Sequence, residues 1–102
     1  MISRKLIRTD LNLLVVLQIL LEERNVTRAA ERLSVSQPAL SKTLQKLRDA
    51  FEDELFTRTS HGLVPTPRAE ELGRDLPSLL ENVEQILGDM DFSPDTYVGS
   101  FK

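Results

Sequence analysis

The chain has 102 residues, 40% apolar and 28% charged, which is enough for one globular domain with an extension and too little for an additional two-domain sensor. It has no cysteine, which excludes disulfides and thiolate metal sites, and its single histidine, His61, cannot form a metal cluster alone. The net charge of -3 is unevenly spread: residues 1–68 hold eleven Lys or Arg against eight Asp or Glu (+3), and residues 69–102 hold two against eight (-6), so the front is the part suited to a polyanion.

A first helix is expected from Asp10, a good N-cap, with Leu13, Leu14, Leu17, Leu20 and Leu21 as its apolar stripe and Asn25 as its end signal. The run Leu11 to Leu21 follows Arg4, Lys5 and Arg8 as a signal peptide or membrane anchor would. Asn12 and Gln18 interrupt it, Glu22, Glu23 and Arg24 close it, it is far short of a bilayer span, and no small-residue cleavage site follows. A core helix is the better reading, and the glycosylation triplet Asn25-Val26-Thr27 is then a coincidence of helix-capping residues.

Val26 to Leu47 reads as two short helices folded across a tight turn, a helix-turn-helix. Thr27 can cap the first helix. Ala29 and Ala30 have no bulk to hold the helices apart, and Leu33 closes the angle from inside. Ser36 can cap the second helix, Pro38 falls in its first turn where a missing N–H costs nothing, and Leu40, Leu44 and Leu47 face the core, with the helix running to about Phe51. The opposite face carries Gln37, Ser41, Lys42, Gln45, Lys46 and Arg48, side chains able to donate to base edges and phosphates.

Leu55-Phe56-Thr57-Arg58 and Leu63-Val64-Pro65-Thr66 are two short extended segments around the turn-rich Thr59-Ser60-His61-Gly62, which predicts a β-hairpin wing with Pro65 on a short edge strand. Thr66 and Pro67 form an N-cap and N1 pair that opens a long helix reaching Asp89. Leu72, Leu76, Leu79, Val83, Ile86 and Met90 are spaced as a heptad seam, widened by Leu80 and Leu87, and the simplest cover for it is a second copy of the chain. The alternative is that the seam packs on its own domain. Pro77 deletes one backbone hydrogen bond and presses on the carbonyl of Gly73, so a kink is expected there, with a break and a new helix capped by Asp75 as the alternative. From Asp91 onward no helical period is visible, and the apolar Phe92, Tyr97, Val98 and Phe101 suggest a linker leading toward a further domain.

Over about residues 8 to 90 these motifs together resemble the N-terminal DNA-binding part of LysR-type transcriptional regulators. The matching stretches are Asp10-Leu11-Asn12-Leu13-Leu14, Thr27 to Leu33, Ser36 to Lys42, Leu55 to Arg58 and Pro65 to Ala69; the Asp10 and Pro65 stretches are most similar to the nodulation and aromatic-degradation regulators of that family. The resemblance implies a mostly α fold: a winged helix-turn-helix of three helices and a two-stranded hairpin over residues 1–66, a linker and dimerisation helix over 67–90, and a tail or the start of an effector-binding domain over 91–102. It implies a cytoplasmic, nucleoid-associated bacterial homodimer, assembled further into tetramers at full length, that reads an interrupted palindrome rich in A and T. It also implies contact with RNA polymerase in an activator, no membrane, no cofactor in this chain, and a small-molecule effector held by the C-terminal domain outside it. Two positions depart from the family pattern: Lys42 stands where arginine is common, giving a point charge instead of a planar fork, and Ser34 stands at the turn where glycine is usual.

On this reading Ser36, Gln37, Pro38, Ser41 and Lys42 lie at the N-terminal half of the recognition helix and meet base edges, while Gln45 and Lys46 reach the flanking backbone. Arg28 contacts phosphate near a helix N-terminus, with Thr27 either joining it or only capping. Arg58, Ser60 and His61 enter the adjacent minor groove, and Arg68 clamps a phosphate. Leu72, Leu76, Leu79, Leu80, Val83, Ile86, Leu87 and Met90 form the dimer seam. The plain alternative for Arg28, Arg32 and Arg48 is solvated surface charge paired with Glu31, Asp49 or Glu52. A helical protein-interaction module is the competing function, favoured by the net acidity. An enzyme is the third, for which the sequence offers no constellation.

Overall fold

The computed structural model describes residues 1–89. Five helices and one hairpin follow in order: α1 (Arg4–Arg8), α2 (Asn12–Glu23), α3 (Val26–Leu33), α4 (Gln37–Phe51), β1 (Phe56–Thr59), β2 (Gly62–Pro65) and α5 (Pro67–Asp89).

α1 is the element the periodicity does not announce, because five residues are too few to show a period. Local hydrogen bonds make it: the Ser3 hydroxyl accepts from the Leu6 N–H at 3.1 Å, and the Thr9 hydroxyl closes the other end by donating to the Lys5 carbonyl at 2.6 Å. Asp10 starts α2 from just outside it, its Oδ1 accepting from the Asn12 N–H at 3.0 Å. The helix ends at Arg24, in the left-handed region at φ 50°.

Three capping expectations need correction. Asp10 is not the N-cap of α2; Leu11 holds that position with no side-chain cap bond, because the Asp10 carboxylate reaches only the Asn12 N–H. Asn25 is the N-cap of α3, with its side-chain oxygen taking the Arg28 N–H at 2.9 Å, and is not the end signal of α2. Thr27 therefore falls inside the first turn and has no capping role; its hydroxyl accepts from Gln37 Nε2 at 3.1 Å instead. Asn25 prevails because its backbone is extended (φ -152°) and its side chain lies three residues before an N–H left free by the helix geometry. Ser36 caps α4 as expected, accepting from the Ala39 N–H at 3.2 Å. Ser34, the residue replacing the usual turn glycine, sits at φ 58°, ψ 43°, a conformation that costs a non-glycine residue about 1 kcal/mol.

The hairpin pairs Phe56 with Pro65 and Thr59 with Gly62, leaving Ser60 and His61 as a two-residue turn. Leu55 and Thr66, expected as strand residues, lie outside the ladder: Leu55 has φ 65° and Thr66 turns away to cap α5, accepting the Ala69 N–H at 3.2 Å.

One core joins α2, α3, α4, the hairpin and α5, while α1 contributes no buried residue. Leu17 and Leu20 of α2, Ala29 and Ala30 of α3, Leu40, Leu44 and Leu47 of α4, Leu55, Phe56 and Leu63 of the hairpin, and Ala69 and Leu76 of α5 are all buried. The heptad seam of α5 is therefore divided. Leu76 is buried and Leu72 half-buried against the chain's own α2, contrary to their expected place in a dimer seam, because α5 lies close enough to α2 that a Cβ on Gly73 would stand 3.2 Å from Leu21 Cδ1. Leu80 is half-buried beside Val15 and Ile19, while Leu79, Val83, Ile86 and Leu87 remain 45%, 41%, 60% and 57% exposed. α5 runs unbroken through Pro77, so the alternative of a second helix capped by Asp75 does not occur. Met90 and the tail from Asp91 lie outside the described residues. Among the described residues no helix is long and apolar enough to cross a membrane.

Candidate nucleic-acid interface

The small side chains Ala29 and Ala30, 0% and 3% exposed, let α3 lie directly against α2 and α4, and Leu40, Leu44 and Leu47 turn the apolar side of α4 inward. The other side of α4 must then face solvent. Gln37, Pro38, Ser41, Lys42, Gln45 and Lys46 are all exposed there, together with the cap residue Ser36, whose hydroxyl is committed to the Ala39 N–H. The Gln37–Thr27 hydrogen bond ties the N-terminal turns of α3 and α4 together and orients the Gln37 amide, leaving its oxygen available to a ligand. Gln45 is held by a 3.1 Å bond to Asp49 Oδ1 one turn on. Lys42, Lys46 and Arg28 make no ion pair among the described residues, so three cations stand uncompensated around this surface.

Other arginines are structural. Arg32 bridges Glu22 (2.6 Å) and Glu23 (3.1 Å), fastening α3 to α2; the plain reading of this residue holds, with partners on another helix instead of Glu31. Gln18 and then Arg32 donate to Glu22 and hold its carboxyl below the ordinary range. Arg48 does not belong to the exposed face on which its sequence position puts it. It is half-buried, Nε donating to the Glu54 carbonyl at 2.8 Å and Nη2 to the Phe56 carbonyl at 3.2 Å, and so fixes the entry of the hairpin to the last turn of α4.

The hairpin tip presents Arg58, Ser60 and His61 to solvent. Thr59 Oγ1 shapes the turn, accepting from the His61 N–H at 3.1 Å and donating to the Gly62 carbonyl at 3.0 Å. Gly62 (φ +111°) lets the strand pass so close to the end of α2 that an added Cβ would stand 2.5 Å from the Arg24 carbonyl oxygen, which itself accepts the Leu63 N–H at 2.9 Å. The wing is thus pinned to α2 through backbone. At its exit Asp53 Oδ2 accepts from the Leu55 N–H at 2.8 Å and from the Thr66 hydroxyl at 2.7 Å. These two bonds, Thr66 first, hold its carboxyl below the ordinary range, with the Arg68 charge adding to them. Arg68 itself is exposed in the first turn of α5, 3.4 Å from Glu71 Oε1.

Sequence reasoning missed Asp53, Thr66 as its partner, and Arg48 as a positioning residue. The Asp53-Glu54-Leu55 spacing, an acceptor two residues before a backbone N–H, was the one local signal. Among the described residues no group of three His, Cys, Asp or Glu is placed to hold a metal ion.

The model of the bacterial regulatory helix-turn-helix proteins of the lysR family matches residues 11–70 of this chain. The chain belongs to the LysR family. It is a LysR-type helix-turn-helix DNA-binding domain, mostly helical, with its hairpin wing between α4 and the long α5. It is 53% identical over 78 residues to the HTH-type transcriptional regulator SyrM 2 of Sinorhizobium fredii, an alignment covering 76% of this chain and 23% of that protein. It is 46% identical over 87 residues to nodulation protein D 3 of Rhizobium leguminosarum bv. phaseoli, covering 84% and 29%. The LysR-type chain thus spans about a quarter of the length of these relatives. A probable transcriptional regulator from Pseudomonas aeruginosa superposes with a TM-score of 0.81 at 38% identity, covering 87% of this chain and 30% of that one. The DNA-binding domain of BenM in its complex with catB site 1 DNA superposes with a TM-score of 0.72 at 30% identity, covering 78% and 90%. The LysR-type match extends through α2, α3, α4, the wing and the first turn of α5, the elements that carry Arg28, Gln37, Lys42, Arg58 and Arg68.

Proposed function

We propose that this LysR-type domain is the reading head of a transcriptional regulator, binding double-stranded DNA sequence-specifically as a dimer. α4 enters the major groove N-terminus first. Gln37, Ser41 and Lys42 meet base edges, Pro38 offers apolar surface to a thymine methyl, and Arg28 and Lys46 take phosphates on either side. Arg58 and the Ser60-His61 turn reach the neighbouring minor groove, and Arg68 neutralises a phosphate at the start of α5. The observation that carries this reading is the exposed N-terminal half of α4, where amide, hydroxyl and ammonium groups gather around cations that no carboxylate of the described residues neutralises.

Residues 1–66 act as the winged reading unit and 67–90 as the dimerisation helix, whose exposed Leu79, Val83, Ile86 and Leu87 are covered by the partner's equivalents. The dimer reads an interrupted palindrome, and the protein acts in the cytoplasm without catalysing a reaction. No cofactor binds this chain. A small-molecule effector binds the C-terminal domain of such a regulator, outside this chain, and RNA polymerase is a partner if the regulator is an activator.

Titration of duplexes tests the division of labour. Lys42→Ala is expected to weaken specific binding by about 1–3 kcal/mol and to relax discrimination, whereas Arg68→Ala weakens specific and scrambled duplexes alike. Equal losses on both duplexes for both variants contradict the proposal.

A further inference from the structure

The residues before the family match carry a charge pattern that the reading above does not use. Residues 1 to 8 contain Arg4, Lys5 and Arg8 and no acid. All three are exposed in α1, and their side chains make no hydrogen bond or ion pair among the described residues.

Their place beside α4 gives them a use. Asp10 and Asn12, at the start of α2, share one cleft with Thr43 and Lys46 of α4. One turn further along α4, Lys5 and Thr9 share the next cleft with Ala50, Phe51, Glu52 and Arg68. The segment from α1 into α2 therefore runs along one edge of α4, with α1 beside its C-terminal end, and Lys5 lines the same cleft there as Arg68, the first cation of α5. In that cleft Lys5 and Arg68 stand beside one carboxylate, Glu52, and Arg68 is also 3.4 Å from Glu71 Oε1.

α4 has 15 residues, about 22 Å at 1.5 Å per residue, whereas the major groove is about 12 Å wide. If its N-terminal half lies among the bases, its last turn, beside which α1 lies, must stand clear of the groove on the side of the flanking backbone. We propose that α1 is a second grip on DNA: Arg4, Lys5 and Arg8, with Arg68, neutralise backbone phosphates flanking the site that α4 reads. The inference rests on the DNA-binding reading above. It predicts a sequence-independent contribution to affinity, since phosphates carry no base identity.

The test is the salt dependence of binding of the 102-residue chain to a mixed-sequence duplex of about 30 base pairs. Arg4→Gln, Lys5→Gln and Arg8→Gln combined should lower the slope of log affinity against log salt by up to about 2.7 per bound protomer, three contacts at about 0.9 each. Arg74→Gln, which removes a charge from the exposed flank of α5 beside Arg24 and Glu70, should leave the slope unchanged. Equal circular dichroism and melting of the variants keep folding out of the comparison. If the native chain binds and the triple variant keeps its slope, or loses no more per charge than Arg74→Gln does, the α1 grip is overturned while the α4 reading stands. If the native chain shows no salt-dependent binding, both fall.

Discussion

Gly62→Ala probes the joint between the wing and the helical body. The added Cβ would stand 2.5 Å from the Arg24 carbonyl oxygen, a backbone atom that no side-chain rotation can move aside. The backbone at φ +111° is itself a conformation that L-residues avoid, at roughly 1–3 kcal/mol. Relieving the clash moves β2 away from α2 and stretches the 2.9 Å bond from Leu63 N to Arg24 O, worth about 1 kcal/mol. Together these predict a loss of roughly 2–4 kcal/mol, or about 10–20 °C in melting temperature for a domain of this size. Thermal unfolding followed by far-ultraviolet circular dichroism measures it, with Gly88→Ala as the control, since a Cβ there meets nothing within 4 Å and should not destabilise. If Gly62→Ala melts within about 2 °C of the native chain, a difference of under about 0.5 kcal/mol, the pinned-wing argument is wrong.

Three further outcomes are expected. Arg48→Ala removes the two donors held by the Glu54 and Phe56 carbonyls and should cost about 2 kcal/mol in urea unfolding; an unchanged midpoint would mean those bonds do not fix the wing. The Asp53 and Glu22 carboxyls are held below their ordinary range, so the stability they add is complete above the unfolded carboxylate pKa of about 4 and is lost as pH falls through their lower folded values. Asp53→Asn should flatten the decline of unfolding free energy below about pH 4, and a slope identical to that of the native chain would contradict this. Ile86→Glu places a charge in the exposed seam of α5 and should shift sedimentation from dimer toward monomer while the melting of the reading unit is retained; an unchanged dimer would remove that seam from the interface.

What the sequence reveals follows the reach of its physics. Leu40, Leu44 and Leu47 at helical spacing, Ser36 followed by Pro38, and Thr66 followed by Pro67 are local signals, and each element they predict is present at or within a residue of its expected bounds. The contest between Asn25 and Thr27 was undecidable locally, because both are good caps two residues apart and the choice depends on where α2 ends. Arg48 has the spacing of the exposed face, but the carbonyls that draw it inward arrive from the wing, six and eight residues away. The heptad seam carries one period, but the fold divides it: Leu72 and Leu76 pack into the chain's own core, whereas Ile86 and Leu87 remain exposed. Gly62 was legible as a turn residue, and only the fold brings the Arg24 carbonyl against it.

Selection of bound sequences from a random duplex pool at near-physiological salt, with the winner retitrated across salt concentrations, tests the central claim most directly. The account predicts enrichment of a two-fold-related site with half-sites a whole number of helical turns apart, and affinity that falls steeply as salt rises. A folded sample that enriches no sequence and shows no salt-dependent binding would contradict it.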